Sequence, residues 1–375
     1  MPTATAMAGF VPAVLAFLLA WAFMTTTALL LLEVNLWMGP NVSIVSMAGR
    51  TLGVVGKGLS WFLFCYLFYL ILTAYTAGSG QLVAEFVTYY GGQPPPVWAG
   101  SLIVTAILGL LVFIGTAACD YVNRYLMVGL VVSYVALVAF GFPEIRGELL
   151  RHLYWEKAPF AMPVLVIAFG FHNMLPTLTH YLEGDARHMR QVVIIGSLIP
   201  LAIYLVWEAV VLGIVPPEIF FLGGNDEGEI APKALAAVLG KGWITLAGEL
   251  FAFFAIVTSV LGQALSLVDF LADGFKTPRT QLWRGMLTLL ALVPPYMAAL
   301  YNPGIFVKAL QMAGAYGAVV LFGIMPSLMV WQLRYREGKE TFHAARGGRP
   351  MLVVVILVAL GVMGIQLAKQ LGMAG

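Results

Sequence analysis

Residues 161–181 read AMPVLVIAFGFHNMLPTLTHY, from Ala161 to Tyr181. By length and apolar content this is a membrane span, which needs about 20 mostly apolar residues. Its middle is wrong for one: Gly170, His172, Asn173 and Pro176 cluster there. Pro176 has no backbone N–H, and its ring meets the carbonyl four residues earlier, that of His172. Gly170 weakens the helix at the same level. The spacing predicts a break near Gly170–Asn173. Non-helical backbone at membrane depth is tolerated only where it is buried in protein or lines a cavity. In transporters such breaks put carbonyls and helix ends on substrate and ion. A plain proline kink, with His172 satisfied in the interior, is the simpler alternative.

The rest of the chain agrees with a membrane setting. Of its 375 residues, 61% are apolar or aromatic and 10% are charged. Soluble domains run at about 45–50% and about 25%, so a water-soluble globule and a disordered chain are both excluded. With 20 Lys and Arg against 18 Asp and Glu, and no basic stripe, nucleic acid is not an expected partner. Cys65 and Cys119 are too few for a disulfide framework and lack metal-ligand spacing. Ten stretches are long and apolar enough to span: 10–37, 59–87, 97–118, 121–142, 161–181, 192–215, 244–271, 286–301, 306–331 and 351–371. They are too long and too continuously apolar for barrel strands. The fold expected is all-α, a polytopic helix bundle forming one transmembrane domain over residues 1–375. Thirteen of the 20 basic residues, including Arg334–Arg349, fall in loops on one side and seven on the other. The positive-inside rule makes the richer side cytoplasmic. It also puts both termini outside, an odd start for a chain with no signal-peptide features.

Other polar residues enter the spans. Thr258, Ser259, Gln263, Ser266 and Asp269 follow one another in the seventh, with Ser259, Gln263 and Ser266 on one face. Hydroxyls and carbonyls suit a hard cation such as sodium; interhelical contact is the alternative. Glu208 lies well inside the sixth span, where a carboxyl group can carry a proton or serve as a hydrogen-bonded structural acid. Glu33, Glu85 and His180 lie nearer span ends and are expected at wet interfaces. The basic tract Arg334–Arg349 reads as a solvated loop. The second span is lined with aromatics, and Tyr66 and Tyr69 share a face on which an aromatic ligand can stack. Ser79 of Gly78-Ser79-Gly80 and His172 are imaginable as a hydrolase pair, but they lie on different spans, and an enzyme is not expected.

Two segments, Phe169-Gly-Phe-His-Asn-Met-Leu-Pro-Thr-Leu and Ile195-Gly-Ser-Leu-Ile-Pro-Leu-Ala-Ile-Tyr-Leu-Val-Trp207, resemble the bacterial tyrosine and tryptophan permeases. These form the hydroxy/aromatic amino acid permease family of the amino acid–polyamine–organocation superfamily. Thr27-Ala-Leu-Leu-Leu-Leu-Glu33-Val and Leu261-Gly-Gln-Ala-Leu-Ser-Leu-Val-Asp-Phe270 resemble two further family motifs, and the likeness runs through the whole chain. It implies a LeuT-type core of inverted repeats with eleven spans, a cytoplasmic N-terminus and an external C-terminus. The ten spans here match the second to the eleventh. The family's first span carries a glycine-rich break, G-T-x-I-G-A-G-M-L-A-M-P, and this chain opens at the final Met-Pro of that motif. The expectation is that most of the first helix precedes Met1, an internal methionine mistaken for the start. A chain truly starting there would keep half of the main-chain site and could be a non-transporting remnant.

The resemblance implies proton-coupled symport of tyrosine or tryptophan into the cell, by alternating access, across a bacterial inner membrane. Phe169, Gly170, Phe171, His172 and Asn173 are the expected substrate contacts, with Tyr66 or Tyr69 for ring stacking. Glu208 and His172 are the expected proton carriers. Thr258 and Ser259 keep a sodium-coupled neutral amino acid transporter open as the alternative. No cofactor or resident metal is expected. The expected partners are the amino acid and the lipid bilayer.

Overall fold

The computed structural model describes residues 1–39, 42–221, 231–240, 242–278, 280–339, 342 and 344–373, apart from the side chain at position 89. Every regular element among them is helical. A short helix, α1 (Pro2–Thr5), leads through Gly9 into α2 (Phe10–Met38). The chain continues with α3 (Ile44–Tyr89), α4 (Val97–Ile114) and α5 (Thr116–Gly141). Two seven-residue helices follow, α6 (Met162–Ala168) and α7 (Leu175–Tyr181). Next come α8 (Ala186–Ile214), α9 (Ala231–Leu239), α10 (Trp243–Phe275) and α11 (Gln281–Tyr301). Helix α12 (Phe306–Met312) widens into a π-helical stretch, Ala313–Ile324, then passes through α13 (Met325–Trp331) to a second π turn, Gln332–Arg336. The last element is α14 (Gly348–Gln370).

Nine segments among the described residues are long and apolar enough to cross a membrane. They correspond to nine of the ten stretches read from the sequence. The tenth, 286–301, is the C-terminal part of α11. That helix packs along α3 and α4 but takes in Arg284, two prolines and two tyrosines, which lower its hydropathy. Lys241 and Arg279, counted for orientation above, lie outside the described residues.

The bundle has an inside and an outside. The Phe306–Arg336 segment is 78% buried along its span and α2 is 61% buried, against 17% for the segment containing α5. Large apolar side chains such as Ile107, Val132, Ile199 and Leu357 are exposed on the outer helices. An apolar surface of that extent belongs against hydrocarbon rather than water. Helices α2 and α8, each of 29 residues, pack on one another, and α10 packs along α5 and α3.

Local sequence sets the corners. Gly53 takes φ +74°, a conformation L side chains rarely adopt, and bends α3 into a short arm and a long span. Gly9 takes φ +87°, and a Cβ there would lie 2.0 Å from the His152 carbonyl oxygen, so only glycine lets the loop after α5 close on the start of α2. Asp185 caps α8 by accepting from the backbone N–H groups of Arg187 and His188, both at 3.0 Å. Those bonds, first the one from His188, hold its carboxyl below the usual carboxylate range.

Candidate functional site

The break predicted at Gly170–Asn173 is present, between α6 and α7. The α-helical ladder stops at Ala168 and short-range turns replace it. Phe169 donates to Val166 at 3.2 Å and Gly170 to Ile167 at 3.0 Å. A single 3-10 turn, His172–Met174, then leads into α7. Pro176 stands in the first turn of α7, where its missing N–H costs nothing. It starts the second half-helix rather than kinking a continuous one, so the plain-kink reading fails. Gly170 is needed for space: a Cβ there would sit 2.9 Å from the Ile167 carbonyl oxygen. Gly170→Leu is therefore expected to displace the break while the outer helices stay folded, as read by a lowered thermal midpoint with an unchanged size-exclusion profile of the purified protein.

His172 lies at the centre of the break with no exposed surface. Its Nε2 is 2.9 Å from Thr27 Oγ1 on α2. The Thr27 hydroxyl donates to the Met24 carbonyl at 3.0 Å. The imidazole stacks on Phe322 of the π-helical stretch, centroids 4.5 Å apart and planes 9° apart. Two separate parts of the chain, α2 and the π-helical stretch, thus fix one ring.

Beside it stands an aromatic wall. Phe169, fully packed, meets Tyr204 of α8 edge-on at 5.5 Å and Phe17 of α2 at 6.4 Å. The Tyr204 hydroxyl donates to the carbonyl of Ala168, the last residue of α6, at 3.2 Å. Phe171 and Asn173 are half-buried, with the Phe171 ring 5.5 Å from that of His172. Carbonyls, one ring nitrogen unpartnered among the described residues, and several aromatic faces are what this place offers. Such a set suits an ammonium and an aromatic ring.

The other residues singled out from the sequence lie elsewhere. Tyr69 donates to the Leu290 carbonyl of α11 at 2.9 Å, and Tyr66 stacks on Phe62 at 6.2 Å. From α3 it is Tyr75 that turns inward, near Ser259, Phe306 and Tyr204. The hydroxyls of Thr258 and Ser259 donate back to Phe254 and Ala255 in their own helix, both at 2.7 Å. Glu208 is fully buried and accepts from Thr5 Oγ1 at 3.0 Å; its Oε1 has no partner among the described residues. It lies one helical turn from Tyr204 on the same face of α8. Ser79 donates to Thr76 at 2.8 Å and has no contact with His172, so the hydrolase pair does not form.

Two expectations are overturned. Glu33 is 1% exposed, not at a wet interface, and Arg334 is buried with it rather than solvated. Arg334 Nε donates to Glu33 Oε1 at 2.6 Å and Nη2 to Oε2, while Nη2 also reaches the Ala345 carbonyl at 3.0 Å. His180 is exposed, as expected of a span end. Sequence reasoning missed Thr27, Tyr75, Tyr204 and Phe322 as parts of the central site. Tyr204 and Thr27 stand inside motifs quoted above; nothing in the sequence separates Phe322 from 22 other phenylalanines.

Comparison with known proteins gives a concordant picture. The profile of the tryptophan/tyrosine permease family matches residues 1–366. A "Tyrosine-specific transport system 1" of Haemophilus influenzae is 30% identical over 380 residues, spanning 99% of this chain and 93% of that protein. A "Tryptophan-specific transport protein" of the same organism is 29% identical, spanning 99% and 92%. Among solved structures, that of MhsT in complex with L-phenylalanine superposes with a TM-score of 0.63 at 14% identity, covering 98% of this chain and 93% of that one. At that identity the likeness speaks for the fold, a LeuT-type transporter core.

Proposed function

The chain belongs to the tryptophan/tyrosine permease family, and from that premise we infer that it imports tyrosine or tryptophan across a bacterial inner membrane, driven by a proton. It is an integral, multi-pass membrane protein of a transport family, not of an enzyme family.

The observation that carries the reading is the break between α6 and α7 with His172 at its centre. Carbonyls no longer held in the helical ladder of Phe169–Asn173 receive the α-ammonium, and the Phe169, Phe17 and Tyr204 wall receives the ring. Transport proceeds by alternating access, one part of the bundle rocking against the other around this fixed site. In this reading the C-terminus lies outside, which the charge distribution supports. A zwitterionic amino acid has no net charge and cannot be concentrated by the membrane potential alone. One accompanying proton adds about 2.3 kcal/mol per 100 mV, an accumulation of about fifty-fold. Glu208 is the residue that carries it in this reading, which leaves His172 to the substrate. Buried Glu208, with one oxygen unpartnered among the described residues, supports it.

The test is uptake of labelled tyrosine and tryptophan by proteoliposomes holding the full chain. The expected result is uptake that follows an imposed pH gradient, collapses with a protonophore and ignores sodium. Uptake that requires sodium and ignores the protonophore would move the coupling site to Thr258 and Ser259. No uptake of either amino acid overturns the function.

A further inference from the structure

We propose that His172 Nδ1 accepts the hydrogen-bond donor on the substrate's ring, the phenol O–H of tyrosine or the indole N–H of tryptophan, and so makes the site discriminate against phenylalanine. This rests on the transport reading above and names the atom that selects within it.

The argument begins at Thr27. Its hydroxyl has one proton, and we assign it to the Met24 carbonyl, 3.0 Å away. What remains on Oγ1 toward His172, 2.9 Å away, is a lone pair. The hydrogen-bond network therefore assigns the imidazole proton to Nε2. Nδ1 is then a bare acceptor. It is buried, with no partner among the described residues. An unsatisfied buried acceptor costs about 1–3 kcal/mol, a cost removed when a bound molecule donates to it.

The surroundings say which donor. One face of the imidazole is covered by Phe322 in near-parallel contact, and Phe171 is tilted against the ring at 5.5 Å. The Nδ1 lone pair lies in the ring plane, and the rings of Phe322 and Phe171 are its neighbours. An ammonium has three N–H donors and is better served by several backbone carbonyls of the break than by the one lone pair of a ring nitrogen. A neutral O–H or N–H at the end of an aromatic ring fits an aromatic setting with one acceptor. Phenylalanine fills the same space and leaves Nδ1 unpaired.

Sites built to bond a substrate group reject the analogue lacking it by up to about 10⁴–10⁵-fold. For a single bond to a neutral nitrogen, phenylalanine is expected to compete about 100-fold less well than tyrosine or tryptophan. The first measurement needs no variant: competition of labelled tyrosine or tryptophan uptake by unlabelled phenylalanine in wild-type proteoliposomes. The second is the same competition in His172→Phe, which keeps the stack on Phe322 and removes the acceptor. There phenylalanine should come within about five-fold of the better substrate, chiefly through weaker tyrosine and tryptophan binding. Phenylalanine competing equally in the wild type overturns the proposal, even if His172→Phe does not fold. So does a parallel loss of affinity for all three in a folded His172→Phe, the pattern of an ammonium contact or a purely structural ring. Absence of any tyrosine or tryptophan uptake in the wild type overturns the transport reading itself, a distinguishable failure.

Discussion

Gly314→Ala is expected to abolish uptake and sharply reduce the yield of monodisperse protein, although it adds one methyl group. A Cβ at Gly314 would lie 1.7 Å from the Pro163 carbonyl oxygen, where real contacts keep at least 3.0 Å. The opposing atom is backbone, so no side chain can swing away. Either α6 or the π-helical stretch has to move by more than an ångström. Overpacking a core costs about 1–3 kcal/mol when side chains can adjust, and here two main chains must separate. The displaced element also bears the site: α6 ends at Ala168, whose carbonyl holds Tyr204, and the π stretch carries Phe322 against His172. The control is Gly196→Ala on the exposed side of α8, where a Cβ meets nothing within 4 Å. Alanine favours a helix over glycine by about 1 kcal/mol, so that variant should express and transport at least as well as the parent. Equal behaviour of the two variants would show that the approach of α6 to Gly314 is not needed.

This contact marks the limit of what the sequence discloses. The break itself was legible, because Gly170, His172, Asn173 and Pro176 are each costly in a span and occur together within seven residues. The spans were legible because hydrocarbon demands long apolar runs. The order of Gly314, Ala315, Gly317 and Ala318 reads only as a small-residue face. It does not say that the helix widens to π geometry there or what comes so close, since both follow from packing against a segment 150 residues away. Tyr66 and Tyr69 share a face, but helical periodicity fixes which residues point the same way and not toward what. The inward direction of α3 belongs to Tyr75. Glu33 and Arg334 were misplaced for the same reason. A charge near a span end is read as wet, and a partner 301 residues away in sequence is invisible to that rule.

Arg334→Ala is expected to be among the most destabilising single substitutions in the chain. Removing one partner of a buried ion pair leaves the other charge without compensation, at a cost of about 3–5 kcal/mol, when whole domains are stable by about 5–15 kcal/mol. The side chains of Arg334 and Glu33 are 4% and 0% exposed. Arg334→Lys should recover little: an ammonium cannot present the fork that meets both Glu33 oxygens and the Ala345 carbonyl together. The exposed pair Arg124–Asp120, with side chains 75% and 59% accessible, is the reference. Its loss should cost under about 1 kcal/mol. The buried pair joins two elements that also meet at the site. Helix α2 carries Thr27 and Glu33; the segment from α12 to Arg336 carries Phe322 and Arg334. Both walls of the His172 ring are thus tied together a few turns away. The measurement is the thermal midpoint of the purified protein in detergent, followed by size-exclusion, for Arg334→Ala, Arg124→Ala and the double apolar replacement Glu33→Leu with Arg334→Met. The single change at Arg334 should lower the midpoint far more than that at Arg124. The double replacement should regain most of the loss, because an apolar pair of similar volume leaves no charge unpaired. A midpoint for Arg334→Ala no lower than that of Arg124→Ala would mean that this pair does not hold α2 to the π turn Gln332–Arg336.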